Sequence, residues 1–434
     1  MKKFTIAFIS CMMAVINLQA QFSIKEKKET IDSIAAALEK HYVFPEVAKR
    51  LSNHLRTQFK NKVYDTISSG LVFAEILNAE IKRAGNDKHL SLHYSTEILA
   101  PQSNSPLEVS PEEKKGYELW LLTENYGITA LKVLPGNIGY VDFKWFCGPE
   151  YAGDTYVAMM NYLAHTDALI IDLRNSQGAM STEIIPFLSS YFFEKPTHIN
   201  DYYWRDGDRT VQSWTQVVVP GKKYLTKPVY ILTSGKTFSG AEEFTYNFKN
   251  LKRATVIGEV TGGGANGGGT IRVSNHFNMF IPLGRAINPI TKTNWEGVGV
   301  QPDTLIKSNR SLHKAQNMAL HYLLDKYKED ANRKRYLTDQ LIENHKSIPV
   351  FSNHTFFLPG YPDAKEIYVA GSFNNWSPTT DKMQRKGDTW SITVEAEPGR
   401  HSYKFIVDGR WMLDPNNPQK EKEGEYDNSV IVIK

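Results

Sequence analysis

Apolar residues recur at helical spacing through the first fifth of the chain. Ile31, Ile34, Ala35, Leu38 and Tyr42 form one stripe, broken by Pro45. Val47, Leu51, Leu55 and Phe59 form a second, and Leu71, Phe73, Ile76, Leu77 and Ile81 a third, closed by Gly85. They predict a helical region over about 27–85. Residues 100–116, with Pro101, Pro106 and Pro111, read as a loop or linker. From about 127 the period changes. Ile138–Phe143, Ala168–Leu173, Val229–Leu232 and Ala254–Ile257 predict strands, and the second and third are apolar enough to be buried on both faces. Tyr156–Leu163, residues 182–192 and Glu242–Leu251 read as helices between them. Such alternation predicts a mainly parallel sheet with helices on its faces. Residues 311–347 are charged and helical. Beyond them Thr355–Leu358, Glu366–Ala370, Thr389–Val394, His401–Val407 and Ser429–Ile433 are short strand-like runs separated by Pro, Gly and Asn, the spacing of a small β-sandwich.

The first twenty residues stand apart. Met1-Lys2-Lys3 is basic, Phe4–Leu18 is mostly apolar, and Leu18-Gln19-Ala20 ends the run on a small residue. This predicts a signal peptide cleaved after Ala20. The run is shorter than the roughly 20 residues a spanning helix needs, and no later stretch is long and apolar enough to span. The mature chain is therefore expected to be exported, to the periplasm or the cell exterior, without an integral membrane span. Cleavage leaves Cys147 as its single cysteine and rules out an intramolecular disulfide. The whole chain divides as signal peptide 1–20, helical region 21–115, α/β domain 116–310, helical linker 311–350 and β-sandwich 351–434.

Length and composition fit this division. At about 150 residues per domain, 434 residues make two to three. An apolar fraction of 41% excludes a disordered chain, and a formal charge of +4 without a basic block gives no footprint for nucleic acid.

Candidate chemistry concentrates in the α/β part. Tyr230-Ile-Leu-Thr-Ser-Gly-Lys-Thr-Phe-Ser-Gly-Ala-Glu-Glu-Phe244 sets Ser239 after a strand and at the start of a helix. A hydroxyl there is exposed at a sheet edge, with the Gly240 amide and the helix N-terminus beside it to stabilise an oxyanion. Ser239 with Glu242 three residues on also fits a helix capping box. Ile170–Gly178 is a strand running into a polar turn, Gly258–Gly269 is glycine-rich, Trp295–Asp303 follows, and Asp87-Lys-His-Leu-Ser-Leu92 closes the helical region. The glycine-rich loop lacks the Gly-Lys-Ser/Thr ending of a P-loop and the spacing of a dinucleotide fingerprint. No metal-ligand cluster has a recognisable spacing, and no cofactor is expected. Asp172 and Arg174 are read as support for the strand end.

In order and type these segments resemble the peptidase family of C-terminal processing peptidases, tricorn protease and interphotoreceptor retinoid-binding protein. The likeness runs over about 27–310 and includes Tyr42-Val-Phe-Pro45. It implies a serine peptidase with a core of ClpP/crotonase-like ββα units and a polypeptide substrate. It implies Ser239 as nucleophile, His89 as general base, Glu296 as the acid orienting the histidine, and Gly178 and Gly240 as donors of the oxyanion amides. The processing-peptidase branch carries a lysine base where this chain has Val260, which favours the histidine. Gln177 stands where the family usually has glycine and puts the oxyanion hole in question. The alternative is an inactive binding protein of the same fold, holding an apolar ligand, a peptide or a glycan.

The C-terminal part holds Ala370-Gly-Ser-Phe-Asn-Asn-Trp-Ser-Pro378, Pro398–Pro415 and Asp427-Asn-Ser-Val430. It resembles the glycogen-binding module of AMP-activated protein kinase β subunits and of starch-branching and debranching enzymes. The resemblance implies an immunoglobulin-like sandwich that binds an α-glucan or related polysaccharide through Trp376, Lys404, Trp411 and Asn428. Indole faces stack on glucose rings while amide and ammonium groups bond the hydroxyls. Trp390 is assigned to the sandwich core. Other expected roles for such a module are protein contact and a regulatory cover packed on the peptidase.

Overall fold

The three stripes become three helices because each buries one face. The structure, a computed structural model, describes residues 22–99, 111–348, 350–374, 376–378, 380–424 and 426–434; the expected signal peptide and most of the 100–116 loop lie outside the described residues. Helix α1 (Ile24–His41) starts at Ser23, whose amide donates to the Glu26 carboxylate at 2.8 Å while the Glu26 amide donates back to Ser23 Oγ at 3.2 Å. Pro45 opens helix α2 (Pro45–Lys60), where a missing N–H does no harm. Helix α3 (Gly70–Gly85) ends at Asn86 with φ 51°. Ile34, Leu38, Leu51, Leu55, Phe73 and Leu77 are fully buried, sharing one core with strand β1 (Ser91–Tyr94).

Past α4 (Pro111–Thr123) the chain runs through β2 (Ile128–Leu134), β3 (Ile138–Phe143), α5 (Pro149–Leu163), β4 (Ala168–Asp172), α6 (Ile184–Ser189), β5 (His198–Trp204) and β6 (Arg209–Trp214). Then follow β7 (Val229–Thr233), α7 (Gly240–Asn250), β8 (Thr255–Gly258), β9 (Gly268–Arg272), β10 (Phe277–Pro282), β11 (Gly284–Ile287) and β12 (Thr304–Leu305). The main sheet has the order β12-β8-β7-β4-β3-β2, parallel except for β2 against β3. β4 and β7 are buried at every position, as their continuous apolar runs require. On one face α5 and α7 bring Met159, Leu163, Phe244 and Phe248 against Val141, Leu169, Ile171 and Ile231.

The other face is covered by α8 (Ser308–Lys326) and α9 (Ala331–Lys346). Ala315, Ala319, Leu320, Leu323 and Leu337 pack on Ile138, Ile170, Leu232 and Ile257. The segment expected to be a helical linker is thus a layer of the α/β domain, because a parallel sheet exposes two apolar faces and both need cover. Two small antiparallel sheets, β1-β10-β9 and β11-β5-β6, complete this part. The first ties the helical region to the segment after the glycine-rich loop.

The last domain is built from β13 (Ser352–Pro359), β14 (Ile367–Gly371), β15 (Gln384–Lys386), β16 (Thr389–Ala396), β17 (Gly399–Val407), β18 (Arg410–Met412), β19 (Lys420–Glu423) and β20 (Tyr426–Ile433). Its sheets, β13-β16-β15 and β14-β17-β20-β19 with β18 on β17, are antiparallel. Phe356, Leu358, Val369, Trp390 and Phe405 fill the space between them. This domain docks on the α/β part through Lys307 with Asp381 at 3.4 Å and Arg310 with Glu395 at 2.5 Å. It also meets the loop between β7 and α7: a Cβ on Gly235 would sit 3.3 Å from Ser377 Oγ. No helix among the described residues is long and apolar enough to cross a membrane.

Candidate active site

Strand β7 delivers the chain to a tight loop whose hydrogen bonds leave Ser239 little freedom. Thr237 Oγ1 donates to the Leu173 carbonyl at 2.7 Å, and the Phe238 amide donates to the Ser176 carbonyl at 3.0 Å. Ser239 then sits at φ 52° and ψ −123°, immediately before α7. Side-chain-bearing residues rarely adopt such angles, and where they do the surroundings impose them. The Ser239 amide donates to the Glu242 carboxylate at 2.9 Å. The capping box expected from Ser239 and Glu242 is therefore present, and the same serine side chain also faces His89.

That hydroxyl lies 3.1 Å from His89 Nε2, although the two residues are 150 positions apart. The pairing of β1 with β10 helps to place this contact, since His89 lies two residues before β1 and its ring meets Phe280 of β10. The ring is held against Phe238, centroids 4.6 Å apart, and Phe280. A Cβ on Gly264 would come within 2.6 Å of His89 Cε1, so the glycine-rich loop lies on the ring where a side chain would not fit. The same loop sends the Gly263 and Gly264 amides to Glu242 at 2.6 and 2.8 Å.

Two carboxylates flank the far side of the imidazole. Asp87 Oδ1 accepts the His89 amide at 2.9 Å and stands 3.8 Å from His89 Nδ1. Asp87 Oδ2 accepts from Tyr42 Oη at 3.0 Å and from Asn266 Nδ2 at 2.9 Å. Glu296 Oε2 accepts the Ala265 amide at 2.6 Å. Glu296 Oε1 and His89 Nδ1 are both buried and, among the described residues, lack a hydrogen-bond partner. Burial, with the charge of Asp87 second, pushes the Glu296 carboxyl up to about 8. Burial holds His89 below the usual imidazole value, opposed by Asp87. The sequence reading named Glu296 and missed Asp87 and Tyr42 as its neighbours. The motifs that carry all three were in view; what was lacking was any signal that they meet.

Sequence spacing shows no metal-ligand cluster, yet the fold gathers one. Ligand atoms of Asp87, His89 and Glu296 lie within 4.8 Å of one another. These are also the groups around Ser239, and His89 Nε2 faces the serine.

Gly178 and Gly240 lie beside Ser239. Gly178 has φ +120°, and a Cβ on it would lie 2.9 Å from Ser239 Cβ and 3.2 Å from the Gly240 nitrogen. Gln177 is exposed, and its backbone N–H donates to the Lys144 carbonyl at 2.9 Å. Asp172 is bonded by Tyr140 Oη and by the Arg174 guanidinium, the supporting role expected for the strand end.

These acids make stability depend on pH. Burial pushes Glu242 and Glu243 up to about 7 each, and Glu296 up to about 8. Their values when unfolded are near 4.3. Between these limits the folded chain holds more protons, so stability falls as pH rises. Buried His89 acts in the opposite sense, but only at and below its unfolded value of about 6.5. Tm is therefore expected to drop by a few degrees from pH 6.5 to 8.5. Glu296→Gln flattens the upper part of that slope. A Tm that rises over this interval contradicts the assignment.

In the C-terminal domain Trp376, Lys404, Trp411 and Asn428 all line one cleft. The two indoles are 6.3 Å apart between centroids. Lys404 Nζ lies 5.4 Å over the ring of Tyr426, which is 70% exposed and which the sequence reading did not single out. Asn428 is buried and donates to Glu423 at 3.3 Å. Trp390 is buried in the core and donates to the Tyr361 carbonyl at 3.3 Å.

Residues 137–306 match peptidase family S41, and residues 15–119 match the N-terminal domain of peptidase S41 in eukaryotic IRBP. These two matches together span most of the helical region and of the α/β part. Residues 360–434 match the glycogen recognition site of AMP-activated protein kinase. Among curated proteins, the 5'-AMP-activated protein kinase subunit beta-1 of Sus scrofa is 37% identical over 70 residues, 16% of this chain and 56% of that protein. The Bos taurus subunit is 39% identical over 70 residues, 16% of this chain and 25% of that protein. This chain thus covers less than two thirds of these relatives. Of solved structures, a putative peptidase from Parabacteroides merdae aligns with TM-score 0.48 and 18% identity over 69% of this chain and 96% of that one. The photosystem II D1 C-terminal processing protease aligns with TM-score 0.40 and 13% identity over 65% and 93%.

Proposed function

We propose that this chain is an exported endopeptidase that cleaves peptide bonds through Ser239, His89 and Glu296, with Asp87 as a second acid, and that its C-terminal domain tethers it to an α-glucan. The observation that carries the reading is the 3.1 Å contact of His89 Nε2 with Ser239 Oγ at a serine held in a strained turn. In this reading Ser239 Oγ attacks the peptide carbonyl carbon, and its proton passes to His89 Nε2. The Gly178 and Gly240 amides stabilise the oxyanion, helped by the N-terminus of α7. His89 gives the proton to the leaving amine, the acyl-serine forms, and water reverses the steps. Glu296 Oε1 and His89 Nδ1, unpartnered among the described residues and within the same cluster, close to a hydrogen bond in the reacting state, which keeps the ring in the productive tautomer. The core would be of the ClpP/crotonase-like ββα kind and the tether an immunoglobulin-like sandwich. The parallel β3-α5-β4 and β7-α7-β8 units and the paired antiparallel sheets support this.

A fluorophosphonate probe tests the chemistry. The chain is expected to label covalently, with labelling lost in Ser239→Ala and in His89→Ala. A wild-type chain that stays unlabelled would return the reading to a ligand-binding protein. The oxyanion assignment has its own test. Gly178→Ala places a methyl group 2.9 Å from Ser239 Cβ at φ +120° and is expected to lower kcat on the order of 10²-fold. An unchanged kcat removes Gly178 from the site. The tether is tested by retention of the full chain on amylose, lost in Trp411→Ala.

A further inference from the structure

The cleft that holds the four expected glucan residues has a second wall from another part of the chain. One side is the C-terminal domain, with Trp376, Trp411, Tyr426 and Lys404. The other is helix α3 of the N-terminal helical region, with Glu75, Ala79 and Lys82. These three are exposed and spaced four and three residues apart, so they share one face of the helix. The cleft is about 1550 Å³, larger than the roughly 300–1,000 Å³ of a small-molecule pocket.

We propose that α3 and the C-terminal domain together form one composite glucan site, in which an oligosaccharide is clamped between the aromatic platform and the helix. This rests on the glucan-binding reading above and adds a wall that the C-terminal domain does not contain. The chemistry of the two walls differs in the way a sugar chain requires. Trp376, Trp411 and Tyr426 offer apolar faces for the flat faces of pyranose rings. Glu75 and Lys82, an acceptor and a donor, stand across the gap for the hydroxyls that point away from the stacked face. Ala79 between them leaves the space open. The ion pairs from Lys307 and Arg310 fix the C-terminal domain on the α/β part, to which the helical region is joined through the pairing of β1 with β10. A short sugar needs only the aromatic wall, whereas a longer chain fills the cleft and reaches the helix.

Titration calorimetry of the full chain with maltotriose and with maltoheptaose tests the clamp. Ala79→Trp fills the gap from an exposed helix position and is expected to weaken maltoheptaose binding at least tenfold. Glu75→Ala with Lys82→Ala removes two polar partners and is expected to weaken it about three- to tenfold. Both variants should leave maltotriose affinity within about twofold, and fluorophosphonate labelling unchanged, which shows that the fold is intact. Trp411→Ala should weaken both sugars. Loss with Trp411→Ala but no effect of either α3 variant overturns the clamp and leaves the tether standing. A wild-type chain that binds neither sugar overturns both. Equal weakening of the two sugars by the α3 variants also overturns the clamp, because it makes the helix part of the short-sugar site.

Discussion

Ser239→Ala and His89→Ala are each expected to lower kcat on a cleaved peptide by about 10⁴- to 10⁶-fold, and the double variant to be no slower than the worse single one. The serine hydroxyl is a poor nucleophile at neutral pH until a base takes its proton, and the base has no task without the serine. The 3.1 Å separation places the two as one unit. The rate that remains comes from substrate binding and the backbone amides around Gly178 and Gly240, neither of which the substitutions touch. Single-turnover and steady-state rates on the three variants check this. Losses that multiply in the double variant would mean that the two side chains act independently and would dismantle the pairing.

The two acids are expected to separate by substitution. Asp87→Asn should lower kcat about 10²- to 10⁴-fold at pH 7, because it removes a negative charge 3.8 Å from His89 Nδ1 while a cationic imidazole is forming in a buried site. Glu296→Gln should lower kcat less than about tenfold at that pH. With its carboxyl pushed up to about 8, Glu296 is mostly protonated at pH 7, and glutamine preserves an acceptor oxygen of the same reach. The difference appears on the alkaline side. Below pH 8 Glu296 keeps its proton, and above it a second negative charge faces His89. Wild-type kcat should therefore rise through about pH 8, and the rise should be absent in Glu296→Gln. A pH profile of the two variants decides between the acids. A thousandfold loss with Glu296→Gln and a small one with Asp87→Asn would make Glu296 the charged partner instead.

Local pattern carried much of the architecture. The stripes at Ile31–Tyr42, Val47–Phe59 and Leu71–Ile81 reappear as α1, α2 and α3. The continuous apolar runs at 168–173 and 229–232 are the fully buried centre of the sheet. Ser239 was legible because a serine between a buried strand and a helix is a local arrangement, and a buried indole such as Trp390 sits within alternating strand residues. Strands β5, β6, β9, β10 and β11 were less visible. They lie in small antiparallel sheets: β5, β6 and β9 are mostly half-exposed or exposed and carry a weak period, while β10 and β11 do alternate, with Phe277, Met279 and Ile281 buried, but are short.

What the linear chain determines, then, is which residues seek burial and which loops interrupt them, because periodicity acts over a few neighbouring residues. It does not say which surface each face will bury against. That choice belongs to the tertiary structure. It turned residues 308–346 from a linker into a layer on the sheet. It brought Asp87, His89 and Glu296 to a serine 150 residues from His89, through one strand pairing and a glycine loop pressed on the ring. It set α3 opposite Trp376, Trp411 and Tyr426, which no spacing along the chain relates. The physical reason is the same in each case. An apolar face or a charged atom specifies the kind of surroundings it needs, and only the packed chain supplies the particular partner.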